Sequence, residues 1–477
     1  MNRPEPLAIA ECPECLRLRR ELDAALSRIV KLEERVQEFH DQLHRNSSNS
    51  STPPSANPLN APKPVAKTPT GKKRGGQPGH RGRHRRRLPK ERVDKVVNHL
   101  PKICAGCAAS LPAEPGGDDP EPSWHQVAEL PIMAAIVTEH QAHARTCTRC
   151  GLLNRAVVPA EIRAHAFGPR LAAAMSYFSG RFHLSRRAVV ELLDSVFDLP
   201  VSLGTVCGLE RRTSDALAVA HDQARVAVVD APVKNADETG WKQAGKRRWL
   251  WTAATKTAAY FVIHAQRGAA GLTALLGEAI KGTVVSDRWS SYNRLPLSQR
   301  QICWAHLKRD FQKCVDRGGA AKRVGDVGGM VVEDVFTLWR DFRQLKIDRV
   351  KLVADLAAPI EELRGELERG SACADRKTAR FCRNLLTLFP ALWPFAELES
   401  VEPTNNHAER LLRGGVLWRK NAFGSQSDSG CRFVERMMTV VETLRLQGRA
   451  VLEFLERSLV AHRIGTPPPA LIVPLTD

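Results

Sequence analysis

The chain has 477 residues, about three times the length of a 150-residue domain, so two to four folded units are expected. Apolar residues make up 43% and charged residues 26%, which excludes a collagen-like, wholly disordered or disulfide-dominated chain. Subtracting 52 acidic from 71 basic side chains leaves +19, a cation large enough to imply a polyanionic partner, nucleic acid or an acidic membrane surface.

No run of eighteen apolar residues occurs, and the segment Met1 to Glu14 carries acids and lacks an apolar signal core, so a cytoplasmic protein without a membrane span is expected. Twelve cysteines are too sparse for a disulfide scaffold. Six of them form Cys-x-x-Cys pairs, Cys12/Cys15, Cys104/Cys107 and Cys147/Cys150, the spacing of metal or redox sites in a reducing compartment. The first pair has no second pair nearby and carries little weight.

From residue 18 to residue 43 the apolar positions are Leu18, Leu22, Ala25, Ile29, Leu32, Val36, Phe39 and Leu43, alternating in steps of four and three. This heptad seam, separated by Arg, Glu, Lys and Asp, predicts a coiled-coil helix over 16–45 and hence a homo-oligomer, the alternative being an amphipathic helix packed on its own chain. The run NSSNSSTPPS from Asn46 to Ser55 stops the helix and opens a disordered linker and basic arm over 46–98. Between Lys63 and Lys95 thirteen Lys and Arg stand against Glu91 and Asp94. Lys72, Lys73, Arg74, Arg81, Arg83, Arg85, Arg86 and Arg87 are interleaved with Gly and Pro, a composition that cannot fold into a core but can lay guanidinium groups along phosphates. A solvated spacer is the alternative.

Cys104, Cys107, Cys147 and Cys150 have the pattern of two knuckles completing one tetrahedral thiolate site, so a structural zinc module is expected over 99–160, with redox chemistry as the alternative. Strand-like stretches at 126–130 and 134–140 fall between the knuckles. Residues 165–227 read as helical. Ser185 and Ser202 are placed to cap successive helices broken at Leu199-Pro200, compatible with a DNA-binding helix-turn-helix or with an ordinary helical hairpin.

After residue 228 strands are expected at 234–241, 247–255 and 259–264, a helix at 269–280 and a further strand at 282–289. A strand meander followed by a crossover helix and another strand is the order of an α/β, ribonuclease-H-like core, here assigned to 228–460 with a tail at 461–477. Asp237 lies on the first strand and Asp287 near the end of the fourth, while Asp237 and Glu238, being successive strand residues, must face opposite sides. Magnesium sites of this kind need a third hard oxygen ligand. Glu409 is the best candidate, one turn into a helix capped by Thr404 or Asn405 and followed by the cations Arg410, Arg413, Arg419 and Lys420; Glu402 and Glu435 are rivals without that setting.

The segments Asn235-Ala-Asp-Glu-Thr-Gly-Trp241, Ser286-Asp-Arg-Trp-Ser-Ser-Tyr292, Arg300-Gln-Ile-Cys-Trp-Ala-His-Leu-Lys-Arg-Asp310, Pro403-Thr-Asn-Asn-His-Ala-Glu-Arg410 and Arg419-Lys-Asn-Ala-Phe-Gly-Ser-Gln-Ser427 resemble the blocks of the insertion sequence 66 family of bacterial DDE transposases. The resemblance extends over nearly the whole chain and implies that Asp237, Asp287 and Glu409 are its catalytic triad, with a helical insertion at about 315–400 separating the last two. It further implies a transposase that binds double-stranded DNA at element ends, exposes 3′-hydroxyls and joins them to target DNA with two Mg²⁺ ions, Mn²⁺ substituting, and that accessory transposition proteins take part. His306 is an auxiliary candidate, for phosphate contact or for orienting the nucleophile. A non-catalytic, zinc-dependent DNA-binding regulator and a purely hydrolytic ribonuclease-H-like nuclease are the alternatives.

Overall fold

The computed structural model describes residues 13–50, 87–117 and 119–473. Lys72, Lys73, Arg74, Arg81, Arg83, Arg85 and Arg86 of the basic arm, and Cys12, lie outside the described residues. The chain divides into two compact units, residues 62–134 and residues 1–61 together with 135–477.

In the smaller unit the regular structure among the described residues is a single 3-10 turn, Lys90–Arg92. The Gln126 side-chain amide pairs both ways with the backbone of Leu88, accepting from its N–H at 2.8 Å and donating to its carbonyl at 3.1 Å. The strands expected at 126–130 and 134–140 do not form. Val127, Leu130, Ile132, Ile136 and Val137 are all largely exposed. β-Branched residues favour a strand only where a neighbour offers a ladder, and none is paired with these segments.

The larger unit begins with α1, Pro13–Leu43, a 31-residue helix. Its seam residues Leu18, Leu22, Ile29, Leu32, Val36, Phe39 and Leu43 are each at least half exposed, so the chain's own core does not cover them. Contact comes at the C-terminal end instead. Lys377 donates to Asp41 at 2.9 Å, and Asn49, in a turn closed by Asn46 N–H donating to Asn49 Oδ1, donates to Asp316 at 2.7 Å. Residues 46–50, expected to open the linker, are therefore an ordered turn, because asparagine amides can satisfy both the helix end and a neighbouring acid.

A short hairpin, β1 Ala144–Thr146 and β2 Leu153–Arg155, frames the second cysteine knuckle. After α2, Ala160–Arg163, come α3 Pro169–Phe182, α4 Arg186–Phe197, α5 Leu203–Ala216 and α6 Ala218–Val229. Ser185 and Ser202 cap α4 and α5 as the sequence predicts, each Oγ accepting a backbone N–H at 3.1 Å. Val206 and Leu209 of α5 are buried with Met175 of α3, and Glu210 is buried against Arg186 at 2.7 Å.

The sheet has five strands in the order β5-β4-β3-β6-β7. β3 Val233–Gln243, β4 Lys246–Ala254 and β5 Ala259–His264 form an antiparallel meander whose first turn places Ala244 and Gly245 at positive φ, as a two-residue hairpin requires. α7, Ala269–Leu276, crosses over to β6, Thr283–Ser286, parallel to β3, and β7, Arg300–Ile302, is parallel to β6. The helix and strand expected here to reach residues 280 and 289 both stop early, α7 at Gly277 with φ +82° and β6 where the Asp287 carboxylate turns back to accept from Trp289 N–H.

Then follow α8 Trp304–Arg317, α9 Gly319–Arg343, α10 Arg349–Gly370, α11 Arg376–Thr387 and α12 Pro394–Glu397. These helices occupy the stretch where a helical insertion was expected, the first of them starting about ten residues before it, and they bury Leu307, Phe311, Val331, Leu352, Leu363 and Cys382 together. Gly328 is required there, since a Cβ would lie 2.2 Å from the Phe311 ring.

The chain returns through α13 Asn406–Ala422, α14 Asp428–Leu446 and α15 Val451–Ile464. α14 covers the edge of β5: Thr443, Thr439 and Glu435 accept from the N–H groups of Ala259, Phe261 and Ile263 at 3.0, 3.0 and 2.7 Å. One helical turn advances about as far as two strand residues, which is why a four-residue spacing meets a two-residue spacing. The expected tail is pinned, Arg449 donating to the carbonyls of Leu471 and Ala470.

Burial raises the Glu435 carboxyl to about 7, so the folded state holds its proton more tightly than the unfolded state does. Stability from this group is present at acid pH and lost as pH rises through about 7. Urea denaturation at pH 5 and pH 8 should show Glu435→Gln losing less stability between the two than the native chain, by up to about 3 kcal/mol. Equal losses would mean that the carboxyl does not titrate in this window.

Candidate active site

Strand register brings the first two acids together. Asn235 of β3 pairs with Val285 of the parallel strand β6. Two residues on from that pair, Asp237 lies in β3 and Asp287 just past the end of β6, near enough for the Asp287 charge to act on the Asp237 carboxyl. Asp237 Oδ1 accepts from Glu238 N–H at 2.9 Å. Burial first, and then the neighbouring charges of Glu238, Asp287 and Glu409, hold the Asp237 carboxyl well above the usual range.

Glu238 faces the other way, as alternation requires. It accepts from Arg267 Nε at 2.8 Å and from the Tyr292 hydroxyl at 3.1 Å, and burial with the Asp287 charge still raises it to about 7. The Arg267 guanidinium lies 3.7 Å from the centre of the Trp289 ring and 4.8 Å from that of Trp249.

Asp287 is fixed at both ends. Its Oδ1 accepts from Trp289 N–H at 2.9 Å, and its carbonyl accepts from Arg300 Nη2 at 3.2 Å. Arg300 is fully buried on β7 and also donates to Asn293 at 2.8 Å; burial lowers it to about 10. The sequence reading gave this arginine no role, and the available signal was a charged residue in a three-residue strand otherwise suited to burial.

Glu409 arrives from α13. Asn405 stands at its N-cap, as expected, but makes no side-chain cap. Its amide instead accepts from Asn235 Nδ2 at 3.1 Å and donates to the Ala236 carbonyl at 2.8 Å, which clamps the start of α13 to the strand that carries Asp237. The N-terminus of α8 is stitched to the same point: Trp304 N–H donates to the Pro403 carbonyl at 2.8 Å and Asn405 N–H donates to Cys303 Sγ at 3.2 Å. His306 thereby reaches the site, its Nδ1 3.5 Å from Glu409 Oε1, with Arg309 at 3.8 Å. Burial, and then the Arg309 charge, lower the His306 pKa, favouring the neutral ring.

Glu409 Oε1 is buried without a hydrogen-bond partner among the described residues, and the three carboxylates offer hard oxygens. This donor set fits divalent cations such as Mg²⁺. The rival acids do not join it: Glu402 pairs with Arg343 at 2.7 Å and Glu435 caps β5.

Arg410, Arg413 and Lys420 are exposed along one face of α13. Arg419 differs, because its guanidinium turns inward to donate to the Gly240 carbonyl of β3 and is committed to the fold. Arg87, in the smaller unit, lies 5.8 Å from the Trp124 ring centre.

The two cysteine pairs form matching turns. Ala108 N–H donates to the Cys104 carbonyl and Gly151 N–H to the Cys147 carbonyl, both at 2.9 Å, with Ala108 and Gly151 at φ +58° and +72°. In each turn the first thiol is lowered by the backbone N–H groups two and three residues on, with the second cysteine's amide the larger contributor.

A family described as "Transposase IS66 family" matches residues 165–432, more than half of the chain. A family of unknown function (DUF6444) matches residues 8–86. The uncharacterised protein y4qI of Sinorhizobium fredii is 26% identical over 203 residues, covering 39% of this chain; the match spans 37% of the relative's own length.

Asn405→Ala would leave the Asn235 amide only the Thr404 carbonyl at 3.5 Å and would take the side-chain donor from the carbonyl of buried Ala236. A loss of about 2 kcal/mol in urea denaturation is expected, whereas a change within experimental error would deny Asn405 its clamping role.

Proposed function

The chain belongs to the IS66 transposase family, and from that premise we propose that it is a DNA transposase with a ribonuclease-H-like core and a triad of Asp237, Asp287 and Glu409. The observation that supports this reading is the register of β3 on β6, with Asn235 against Val285, together with the Asn405 amide that ties the start of α13 to the Ala236 carbonyl. Two Mg²⁺ ions held by these carboxylates would activate the attacking oxygen and stabilise the leaving oxygen of an in-line phosphoryl transfer.

The protein's residues supply the rest. The carboxylates are ligands and not nucleophiles, so no covalent enzyme intermediate forms. Arg300 and Trp289 N–H fix Asp287, Asn405 sets the height of Glu409, and neutral His306 borders Glu409 to orient a phosphate or the nucleophile. Arg410, Arg413 and Lys420 line up phosphates beside the triad, and the basic arm, Lys72 to Arg87, adds sequence-independent attraction to double-stranded DNA. The two cysteine turns are zinc knuckles, each presenting two thiolates.

A second copy joins through α1. Leu22, Ile29, Val36 and Leu43 occupy the a positions and Leu18, Ala25, Leu32 and Phe39 the d positions, and of these the β-branched Ile29 and Val36 at a, with Leu18 and Leu32 at d, favour two parallel strands. Parallel pairing sets Arg28 opposite Glu33 across the seam, whereas a fully overlapped antiparallel pair would oppose Arg28 and Arg35. Accessory transposition proteins complete the assembly.

Asp237→Asn is expected to reduce Mg²⁺-dependent cutting of a labelled element end by on the order of a thousandfold, about 4 kcal/mol of barrier, with DNA binding retained. Joined products with a target plasmid support strand transfer; nicks alone identify a hydrolytic nuclease, and undiminished function in Asp237→Asn identifies a non-catalytic regulator. Leu32→Lys is expected to convert a dimer to a monomer in light scattering, and an unchanged mass would remove α1 from the interface.

A further inference from the structure

The ligands on the other side of Glu409 differ in kind from the triad. Cys303 Sγ, a ring nitrogen of His306 and a carboxylate oxygen of Glu409 all lie within 4.8 Å of one another. Sulfur, imidazole nitrogen and carboxylate oxygen are the three donor types that tetrahedral zinc takes, whereas magnesium takes oxygen. Cys303 and His306 are held at a three-residue spacing by the first turn of α8, with Cys303 at its N-cap.

Two further features fit a guest. The Cys303 sulfur accepts the N–H of Asn405 at 3.2 Å and is also approached by the backbone N–H groups of His306 and Ala305, donors that work against the burial raising the free thiol and that would go on holding a metal-bound sulfur. His306 Nδ1 and Glu409 Oε1 are both buried without a hydrogen-bond partner among the described residues, and they face each other at 3.5 Å.

We propose that Cys303, His306 and Glu409 form a site for a borderline divalent cation, Zn²⁺ above all, that shares Glu409 with the triad and so excludes Mg²⁺ from it. The shared-ligand part rests on the triad reading; the metal site itself rests on these three residues alone. Binding exchanges the Cys303 thiol proton, released to solvent, for a sulfur–metal bond. It takes Glu409 out of reach of Asp237 and Asp287. The protein then carries two states, one loaded with zinc and inactive, the other loaded with magnesium and competent.

Co²⁺ serves as the probe, added to full-length, metal-free protein kept reduced with a phosphine. The thiolate-to-cobalt absorption band is read for the native chain, Cys303→Ser and His306→Ala, because cobalt held by the triad carboxylates alone adds nothing to it. The band should weaken in Cys303→Ser by the share of one thiolate, the knuckle cysteines supplying the remainder, and should lose the same share in His306→Ala. Millimolar Mg²⁺ should remove that share from the native chain and leave the band of Cys303→Ser as it was. An unchanged band in both variants overturns the site, and a native band that Mg²⁺ fails to weaken overturns the sharing of Glu409. His306→Ala keeps the test open if Cys303→Ser does not fold, and the displacement needs no variant at all. The readout involves no DNA. A chain whose band weakens in Cys303→Ser but which never cuts DNA overturns the transposase reading and leaves the metal site standing, while the reverse result overturns the site alone.

Discussion

Parallel pairing of β3 with β6 is the constraint on which the site depends. β3 belongs to an antiparallel meander on one side and to a parallel pair on the other, and the parallel pair can be closed only by a crossover, which α7 provides. With Asn235 against Val285, the Asp287 charge comes near enough to act on the Asp237 carboxyl. A slip of one residue would turn Asp287 toward Glu238, Arg267 and Tyr292, a cluster already neutralised. The burial of alternate β3 residues, Ala236 and Glu238 against the partly accessible Asn235 and Asp237, holds the register in place.

The third acid depends on a different joint. The helical insertion leaves the sheet at Cys303 and returns at Asn405, and at that crossing the two ends bond to each other. The core of α8 to α12 is continuous with Val285 of β6 and Ile302 of β7, so the segment packs on the sheet while its two ends meet at the crossing. Glu409 then lies one turn from Asn405, so its position follows from the joint and not from the hundred residues inserted before it. The same joint puts Cys303 and His306 within reach of Glu409, which makes a second use of that carboxylate a consequence of geometry.

Much of this was legible in the sequence because it rests on periodicity. Strand alternation located β3, β4 and β5 to within a few residues, serine caps located α4 and α5, and alternation also separated Asp237 from Glu238. What the sequence left open depended on partners far along the chain. The stretches at 126–130 and 134–140 have strand composition and, among the described residues, no strand to pair with. Arg419 sits among cations that face solvent but points at the Gly240 carbonyl, which only the packing of α13 on β3 places there. Asn405 was expected to cap its own helix and instead spends its amide on β3, because the backbone polar groups of a buried strand have the stronger claim on it. Arg300 could be read as basic, but its hold on the Asp287 carbonyl follows from the turn of the chain after β6.

The four acids of the core show how such a fold treats negative charge. Glu238 is the neutralised case: buried, it is given an arginine and a tyrosine hydroxyl, and the arginine is in turn held against two tryptophans. Asp237 receives a single backbone N–H and the repulsion of three carboxylates, and Glu409 keeps a buried oxygen with no partner. Burying a carboxylate without a partner is costly, which is why Asp237 is held toward its protonated form. The cations that could have matched it are available nearby, yet Arg410 and Arg413 on the same helix face outward. The fold thus gives Glu238 a hydrogen-bonded counter-ion and Glu409 only the longer approach of Arg309 at 3.8 Å, the asymmetry on which the proposed use of these acids rests.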